Sequence, residues 1–343
     1  MEQLEDHLAF VDTFAKVHDI LGKHAGQEIR VSYSGGSDSD SVAWVLRYLG
    51  YKVKMVTYDT GLEYEATWRH IDYMRTQGFD IEIIKPAKSI PWTIKKYGLP
   101  FVSKHVSDML QRLQSHNFKF KEHGALSFDE LLALYPTSRS ALKWWTSTNK
   151  TASNNIIWNS ALKEFLILND GVPFTTSAHC CYYSKKLPSV QYARNNNVSL
   201  LMLGIRRAEG GKRATAYPSC YIPTSRIHPY ALYLPIFWWT GEDKAKFDRI
   251  LNIKHSDCYD VYGMKRTGCP GCPFGRQFED EILAISAHEP RLEKAVENIF
   301  GDSYEFTRKY REYQKSVKQP ITRRRAKKGS ASEKEGDIKT NNA

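Results

Sequence analysis

The sequence predicts an α/β protein with a doubly wound, mostly parallel sheet, and two observations lead to this fold class. Apolar segments of strand length alternate with amphipathic helical segments between residues 28 and 84. A loop rich in glycine and serine, SYSGGSDSDS, separates the first strand from the first helix of this series. Loops of this kind at the carboxyl ends of parallel strands are typical of anion sites.

The helices and strands are predicted from the spacing of apolar residues and from residues that typically end helices. An N-terminal helix is predicted within residues 1–24, with Gly26 just beyond its end. The other predicted helices of the sheet region are Ser39–Leu49 and Glu65–Gln77. The predicted strands are Glu28–Tyr33, Lys52–Thr57, Ile81–Ile84, Pro173–Ser177 and Ser199–Leu203.

The domain organisation is predicted from breaks in this rhythm. Residues 25–94 and 171–230 form the sheet domain, and residues 95–170 form a helical insertion between its halves. A C-terminal region, residues 231–314, contains a Cys-x-x-Cys motif. Residues 315–343 are predicted to be a disordered basic tail.

Charge and hydropathy limit the classes of partner that we expect for this protein. The net charge is +11, and residues 315–343 carry +6 of it through nine Lys/Arg and three Asp/Glu. Such a tail suits either a nucleic-acid partner or plain solvation. No apolar run has the length of a membrane span and no signal pattern starts the chain, so we expect a cytoplasmic protein without a membrane partner.

The loop at residues 34–39 has the composition of a phosphate cradle. Gly35 and Gly36 let the backbone approach an anion closely, and the hydroxyls of Ser34, Ser37 and Ser39 are further donors. No Gly-Lys-Ser/Thr tripeptide follows, and the three-glycine dinucleotide pattern is absent. An ordinary strand-to-helix turn is the alternative interpretation.

Four motifs, in this order over roughly residues 25–275, resemble the phosphoadenosine phosphosulfate (PAPS) reductase family of the ATP-pyrophosphatase (PP-loop) superfamily and its DNA phosphorothioation relatives. They are Ser34–Ser39, which resembles its SGGxDS loop, Asp59–Glu63 (DTGLE), Cys180–Lys186 with Gly204–Arg213, and Lys265–Phe274 with its Cys-x-x-Cys. The resemblance implies an adenine nucleotide alpha-hydrolase-like fold that binds ATP, PAPS or adenylylsulfate with Mg²⁺. The nucleotide-binding residues it implies are Ser34, Gly35, Gly36, Ser37, Asp38, Ser39, Asp59, Thr60, Gly61, Glu63 and Arg213.

Four residues are candidates for catalysis: Asp38, Lys185, Arg206 and Arg207. Arginine forks suit phosphate or sulfate oxygens, with ordinary surface arginines as the alternative. Lys185 is a candidate for holding the same anion or for bonding to a cluster, or it is merely solvated. Asp38 either binds Mg²⁺ or caps the helix that begins beside it.

Five cysteines are candidate metal ligands: Cys180, Cys181, Cys258, Cys269 and Cys272. The tandem pair followed by Cys-x-x-Cys resembles the arrangement that iron–sulfur adenylylsulfate reductases use for a [4Fe–4S] cluster. Structural zinc and buried free thiols are the alternatives. Cys258 competes with Cys180 or Cys181 as a ligand, and Cys220 is predicted to be structural.

The function follows from one departure from the reductases. Their nucleophilic cysteine lies near the C-terminus, and no cysteine follows Cys272 here. We therefore predict an ATP-dependent adenylating sulfur-transfer enzyme, acting in nucleic-acid thiolation or phosphorothioation with a sulfur donor such as a cysteine desulfurase. The alternatives are a PAPS or adenylylsulfate reductase that uses Cys258, and a non-enzymatic nucleotide-binding module with structural zinc.

Overall fold

The computed structural model describes residues 4–151, 154–156, 160–210, 215–225, 229–275 and 277–328. The chain divides into two units. Unit 1 comprises Met1–Gly98 and Ala178–Phe300, and unit 2 comprises Leu99–Ser177 and Gly301–Ala343.

Unit 1 contains a six-stranded sheet that confirms the predicted fold class. The strands are β1 (Glu28–Ser32), β2 (Met55–Tyr58), β3 (Ile81–Ile84), β4 (Val198–Leu203), β5 (Tyr221–Ile222) and β6 (Ala231–Tyr233). Their order is β3-β2-β1-β4-β6-β5, and every pairing is parallel except the antiparallel β5–β6 edge.

The helices of both units, in chain order, are α1 (Leu8–Lys23), α2 (Ser37–Tyr48), α3 (Glu65–Thr76), α4 (Ile90–Tyr97), α5 (Lys104–Gln114), α6 (Phe120–His123), α7 (Phe128–Leu134), α8 (Arg139–Trp145), α9 (Ser160–Leu168), α10 (His179–Cys181), α11 (Leu187–Asn195), α12 (Gly241–Ile250), α13 (Asp257–Asp260), α14 (Phe278–His288) and α15 (Pro290–Lys328). A π-helical turn, Tyr182–Lys186, joins α10 to α11. No helix in the described ranges has both the length and the apolar character that crossing a membrane requires.

The sheet topology places three loops together at one edge. The chain runs outward from β1 to β2 and β3, then returns to the other side of β1 at β4. Ser32, the last residue of β1, aligns with Val56 of β2 and Leu203 of β4. The loops that follow β1, β2 and β4 therefore start side by side, at the switch point where open α/β sheets bind ligands.

Unit 2 is helical and has its own core. The largest of its buried residues include Phe101 and Trp145, which are both fully buried. Trp144 and Trp145 lie in this core. Both tryptophans therefore serve packing.

Several predicted boundaries differ from the structure. Pro173–Ser177 is not a strand of the sheet, because Thr176 makes only an isolated bridge with Leu99 of unit 2. The sequence pattern misses β6, whose three residues are all buried and so show no alternation. The predicted C-terminal region is split, since residues up to Phe300 belong to the unit that contains the sheet.

The predicted disordered tail needs one correction. Helix α15 continues to Lys328, so residues 315–328 are helical in this structure. Residues 329–343 lie outside the described residues.

Candidate functional site

The glycine-rich loop connects β1 directly to the N-terminus of α2. Gly35 has φ +67°, a left-handed conformation that favours glycine, and a Cβ there would lie 2.9 Å from Thr67 Cγ2. Gly36 is the N-cap of α2 and has no side chain to satisfy the first N–H groups of the helix. The positive end of the helix dipole thus meets a loop that a ligand can approach closely.

The hydroxyls of Ser34 and Ser39 hold this loop in shape. Ser39 Oγ donates to the Gly36 carbonyl over 2.7 Å, and the Gly36 N–H donates to Ser34 Oγ over 3.3 Å. The two hydroxyls lie 3.3 Å from each other. These serines therefore organise the cradle from within.

A tyrosine that the sequence analysis missed contacts the same loop. The Ser37 N–H donates to the hydroxyl of Tyr259 over 3.1 Å, and this hydroxyl is also hydrogen-bonded to Thr267 Oγ1 at 3.0 Å. The hydroxyl oxygen of Tyr259 therefore already accepts the Ser37 N–H at the N-terminus of α2, where a phosphate oxygen would otherwise accept it. Because Tyr259 is 222 residues from Ser37, only the fold reveals this contact.

The loop after β4 packs tightly against the start of α2. A Cβ on Gly204 would lie 2.6 Å from Asp38 C and Ser39 N, which are backbone atoms. Only glycine fits at this position. Gly204 thus brings the arginine-containing segment that follows it against the phosphate cradle.

Arg206 binds Asp38. Its Nε donates to Asp38 Oδ1 over 2.7 Å, and its Nη1 donates to the Thr240 carbonyl over 3.3 Å. Burial raises the pKa of Asp38, and the charge of Arg206 partly opposes that rise. Arg206 is therefore held in an ion pair with Asp38, and its predicted role as an anion fork stays a prediction.

The other predicted arginines have different positions. Arg207 is exposed and its guanidinium lies 5.4 Å from the centre of the Trp238 ring. Arg213 lies outside the described residues.

The loop after β2 closes on itself. Asp59 accepts the Gly61 N–H over 2.8 Å, and Gly61 has φ +75°. Thr60 Oγ1 donates to Glu63 Oε1 over 2.8 Å. Burial raises the pKa of Glu63, which the positive charge of Lys185 opposes. Asp59 thus stabilises the turn, and the charge of Lys185, which follows the tandem cysteines, acts on Glu63.

Four cysteines of unit 1 interact with one another. The thiol of Cys180 is hydrogen-bonded to Cys181, and this bond, with burial and the nearby Cys272 and Cys269, raises the pKa of Cys180. Burial and the neighbouring Cys269 raise the pKa of Cys272 to about 12. Two pairs that are distant in the sequence are thus brought together by the fold.

The tandem pair and the Cys-x-x-Cys pair each lie in a distinctive local structure. Cys180 and Cys181 end α10 and pass directly into the π-helical turn, a feature frequently found at functional sites. The Cys272 N–H donates to the Cys269 carbonyl over 3.2 Å, and Gly271 between them has φ +59°. Both cysteines of that pair therefore lie on one tight turn.

Lys185 joins the cysteines to the loop after β2. Burial lowers the pKa of Lys185, but the negative charges of Cys269 and Glu63 outweigh this effect and raise it. Lys185 is hydrogen-bonded to Cys269, and this contact partly offsets the burial that raises the pKa of that thiol. Lys186, its neighbour, is exposed.

Cys258 lies apart from this group. It is fully buried and packs with Tyr64, Ala66 and Ile285, and its Sγ lies 4.0 Å from Thr67 Oγ1. Burial raises the pKa of Cys258 to about 11. The structure thus does not bring this candidate ligand to the other four cysteines, and a buried neutral thiol does not act as a nucleophile.

The four thiols suit a soft-metal group by their chemistry. They are buried or half-buried, and a cation is bonded to one of them. Among the residues that the structure describes, however, no three His, Cys, Asp or Glu side chains are spaced as ligands of a single metal ion. The four thiols thus fit iron–sulfur or zinc by donor type, whereas their spacing among the described residues does not form a metal site.

A buried charge network surrounds Asp40, which lies in the first turn of α2. Asp40 is fully buried and is contacted by His255 Nδ1 at 2.7 Å, His70 Nε2 at 3.0 Å and the Tyr33 hydroxyl at 2.6 Å. Burial raises the pKa of Asp40, but the bonds from His255 and His70 outweigh it and lower this pKa to about 2.

His255 carries the matching positive charge. Its Nε2 lies 3.0 Å from Asp248 Oδ2, so both ring nitrogens face carboxylates. Burial lowers the pKa of His255, and the two carboxylates outweigh this effect and raise it to about 9. Lys244 contacts the same Asp248. This network fixes the first turns of α2, and sequence reasoning missed it because its members are dispersed along the chain.

A glycine-rich loop thus leads into a helix N-terminus at the switch point of a parallel sheet, an arrangement typical of phosphate-binding α/β proteins. No protein-family model matches this chain, and no curated protein is similar to it at a significant level.

Several solved structures match this chain at low sequence identity. One is a phosphoadenylyl-sulfate reductase from Candida auris in a phosphate complex, with 10% identity, TM-score 0.43, and coverage of 75% of this chain and 87% of that one. A second is the U34-tRNA thiolase NcsA from Methanococcus maripaludis with its [4Fe–4S] cluster, with 16% identity, TM-score 0.36, and coverage of 88% and 79%.

A third is the NH₃-dependent NAD synthetase from Campylobacter jejuni, with 11% identity, TM-score 0.34, and coverage of 88% and 94%. The similarities are weak, and we base the proposals below on the residues of this chain.

Proposed function

We propose that this chain is an ATP-dependent adenylating sulfur-transfer enzyme. The observation that carries the proposal is the position of Lys185, which interacts both with Glu63 of a strand-end loop and with Cys269 of the thiol group. The predicted nucleotide site and the thiols are thereby joined through one side chain. A nucleotide-binding module with a separate structural metal needs no such link.

The proposed reaction begins with ATP at the cradle. The β- and γ-phosphates lie at the N-terminus of α2, where backbone N–H groups and the helix dipole stabilise their charge. A substrate oxygen attacks the α-phosphorus, the bond from this phosphorus to the bridging oxygen breaks, and pyrophosphate leaves with the bonding electrons. The cradle holds the negative charge that develops on this leaving group.

Asp38 and Arg206 have separate roles in this proposal. The Asp38 carboxylate is the oxygen ligand that suits Mg²⁺ bound with ATP, and Arg206 keeps it ionised and oriented. The hydroxyl of Tyr259 yields its place at the Ser37 N–H to a pyrophosphate oxygen.

The thiols would hold the sulfur-handling group. Cys180, Cys181, Cys269 and Cys272 would be the ligands, and a bound iron–sulfur cluster would supply soft, sulfur-rich chemistry beside the nucleotide. Lys185 would stabilise the thiolate of Cys269 by hydrogen bonding. Sulfide would then displace AMP from the adenylated substrate, and AMP would leave with the activated oxygen and the bonding electrons. A cysteine desulfurase is one class of sulfur donor, and a thiol reductant would release its persulfide sulfur as sulfide.

The reductase alternative would need a thiolate nucleophile among these residues. Cys258, the residue that sequence analysis put forward, is fully buried and neutral at physiological pH. The proposal is tested by supplying PAPS or adenylylsulfate with a thiol reductant and measuring sulfite. We expect none, and sulfite formed with turnover would overturn the proposal in favour of the reductase.

A further inference from the structure

An aromatic and lysine-rich surface lies beside the tandem cysteines, formed by residues 85–97 and 179–186 of unit 1. Helix α4 packs against α10 and against the π-helical turn. Residues 85–97 contain four lysines and no Asp or Glu, and residues 179–186 contain two lysines and no acid. We call this surface the Trp92 surface, and its aromatic side chains and exposed lysines have no part in the reaction described above.

The rings of the Trp92 surface form a ladder. Tyr97 stacks on His179 with ring centres 4.7 Å apart, and on Tyr183 with centres 5.4 Å apart and an angle of 8° between the planes. Trp92 meets the edge of Tyr97 at 6.1 Å, and Tyr182 meets Tyr183 at 5.1 Å. At the two ends of this ladder, Trp92 is 39% exposed and Tyr182 is 42% exposed.

Cations surround the exposed tryptophan. Lys88 Nζ lies 4.7 Å and Lys96 Nζ 5.0 Å from the centre of its ring, and both lysines are exposed. The surface thus combines exposed aromatic rings with flexible cations, and neither segment contains an acidic residue. This combination is complementary to the bases and the phosphates of a single nucleic-acid strand. Bases stack on the rings, and phosphates pair with the lysines.

The surface is anchored to the loop after β2. The Ile90 N–H at the start of α4 donates to the Thr60 carbonyl over 3.2 Å. At its other end, His179 immediately precedes Cys180–Cys181, and Tyr182 and Tyr183 immediately follow them. A strand held on these rings therefore runs beside both the loop and the cysteine pair.

We propose that the Trp92 surface binds unpaired RNA. RNA is favoured because unstacked bases that can lie on aromatic side chains are characteristic of its loops and ends, whereas duplex bases are stacked on one another. Binding itself does not depend on the enzymatic activity proposed above. That the bound RNA is the sulfur acceptor rests on the proposed function.

The test measures RNA binding by fluorescence anisotropy without ATP, using the full chain and a labelled, mixed-sequence RNA of about 12 nucleotides. We expect Trp92→Ala and Tyr182→Ala each to weaken binding by roughly 5- to 150-fold, as expected when one base loses its stacking partner. Trp238→Ala is the matched control, because Trp238 is 48% exposed and also lies beside a cation. We expect it to retain wild-type affinity.

The lysines are tested separately, through the salt dependence of RNA binding. Lys96→Ala should flatten the dependence of log affinity on log salt concentration by about 0.7, the value for one lost phosphate contact with a single strand. The control Lys16→Ala removes a partly exposed lysine of α1 that pairs with Asp12, and it should leave the slope unchanged.

Two results would overturn the inference. Unchanged RNA affinity in both Trp92→Ala and Tyr182→Ala would place any RNA binding elsewhere, for example on the basic C-terminal residues. Tighter binding of the same sequence as single-stranded DNA would contradict the assignment to RNA. Because no ATP is present, neither result depends on whether the chain cleaves ATP.

Discussion

Arg206 Nε donates to Asp38 Oδ1 over 2.7 Å, so the loop after β4 fixes a carboxylate at the first turn of α2. Both side chains are about six-sevenths buried, at 15% and 12% exposure. Because Arg206 opposes the effect of burial on the pKa of Asp38, its removal should raise that pKa further.

The first prediction concerns this pair and pH. If the ionised form of Asp38 is required, activity falls as pH drops through its pKa, and Arg206→Gln should move this acidic limb to higher pH. The pH profile of pyrophosphate release from ATP measures the shift. Arg206→Lys keeps the positive charge, so its acidic limb should lie between those of the wild type and Arg206→Gln. An acidic limb at the wild-type pH in Arg206→Gln would contradict the role of the pair.

The second prediction concerns the close approach at Gly204. Gly204→Ala places a Cβ 2.6 Å from backbone atoms of Asp38 and Ser39, so the cradle must shift. We expect calorimetric ATP binding to be lost and the free energy of unfolding to fall by roughly 1–3 kcal/mol. Gly241→Ala is the control, because a Cβ there meets nothing within 4 Å. Wild-type ATP affinity in Gly204→Ala would show that the cradle does not depend on this contact.

The third prediction concerns Tyr259. Tyr259→Phe removes the hydroxyl that accepts the Ser37 N–H, so ATP no longer has to displace it. We expect ATP to bind roughly 2- to 10-fold more tightly, the equivalent of one modest hydrogen bond. Weaker binding would instead mean that the hydroxyl donates to the bound phosphates.

The fourth prediction concerns the charge network around Asp40. His255 binds its proton more tightly in the folded than in the unfolded chain, so its stabilisation is complete below about pH 6.5 and is lost as pH rises through about 9. The free energy of unfolding should fall by roughly 3 kcal/mol across this window. Asp40 stays ionised throughout, since its pKa is about 2.

Chemical denaturation at a series of pH values measures this effect. His255→Gln should abolish the decline, whereas His18→Gln, which alters an exposed histidine of α1, should keep it. A decline of wild-type size in His255→Gln would assign the pH dependence to other groups.

The fifth prediction separates the cysteines. After anaerobic purification, Cys180→Ser, Cys181→Ser, Cys269→Ser and Cys272→Ser should each lose iron and acid-labile sulfide, because each removes a thiolate ligand. Cys258→Ser and Cys220→Ser should retain both. Zinc without labile sulfide in the wild-type protein would contradict the iron–sulfur assignment, and iron loss in Cys258→Ser alone would contradict its exclusion.

The sequence predicts those parts of the fold in which the local pattern is strong. Strands β1 to β4 and helices α1 to α3 follow from apolar periodicity, and the loop after β1 follows from Gly35 and Gly36. The pattern fails at β6, because its three residues are all buried and show no alternation. It also fails at Pro173–Ser177, which has a strand-like composition but forms only an isolated bridge, between Thr176 and Leu99.

The site is less predictable because its contacts join distant residues. Lys185 and Cys269 lie on different elements, as do Asp40 and His255, and no spacing rule connects them. For Arg206, the sequence predicts the residue but not its partner. Its sequence context identifies it as important, but only the fold shows that its partner is Asp38.

The proposed function depends on cleavage of ATP between the α- and β-phosphates, and product analysis with ATP labelled at the α-phosphorus measures this cleavage. With ATP, Mg²⁺ and unfractionated small RNA, we predict AMP and pyrophosphate in equal amounts, or an adenylated product with pyrophosphate. Gly36→Val should abolish both, because its side chain intrudes on the cradle beside Ser34 Oγ, 3.1 Å from the Cβ position. ADP and orthophosphate as the products, or pyrophosphate release undiminished in Gly36→Val, would contradict the account.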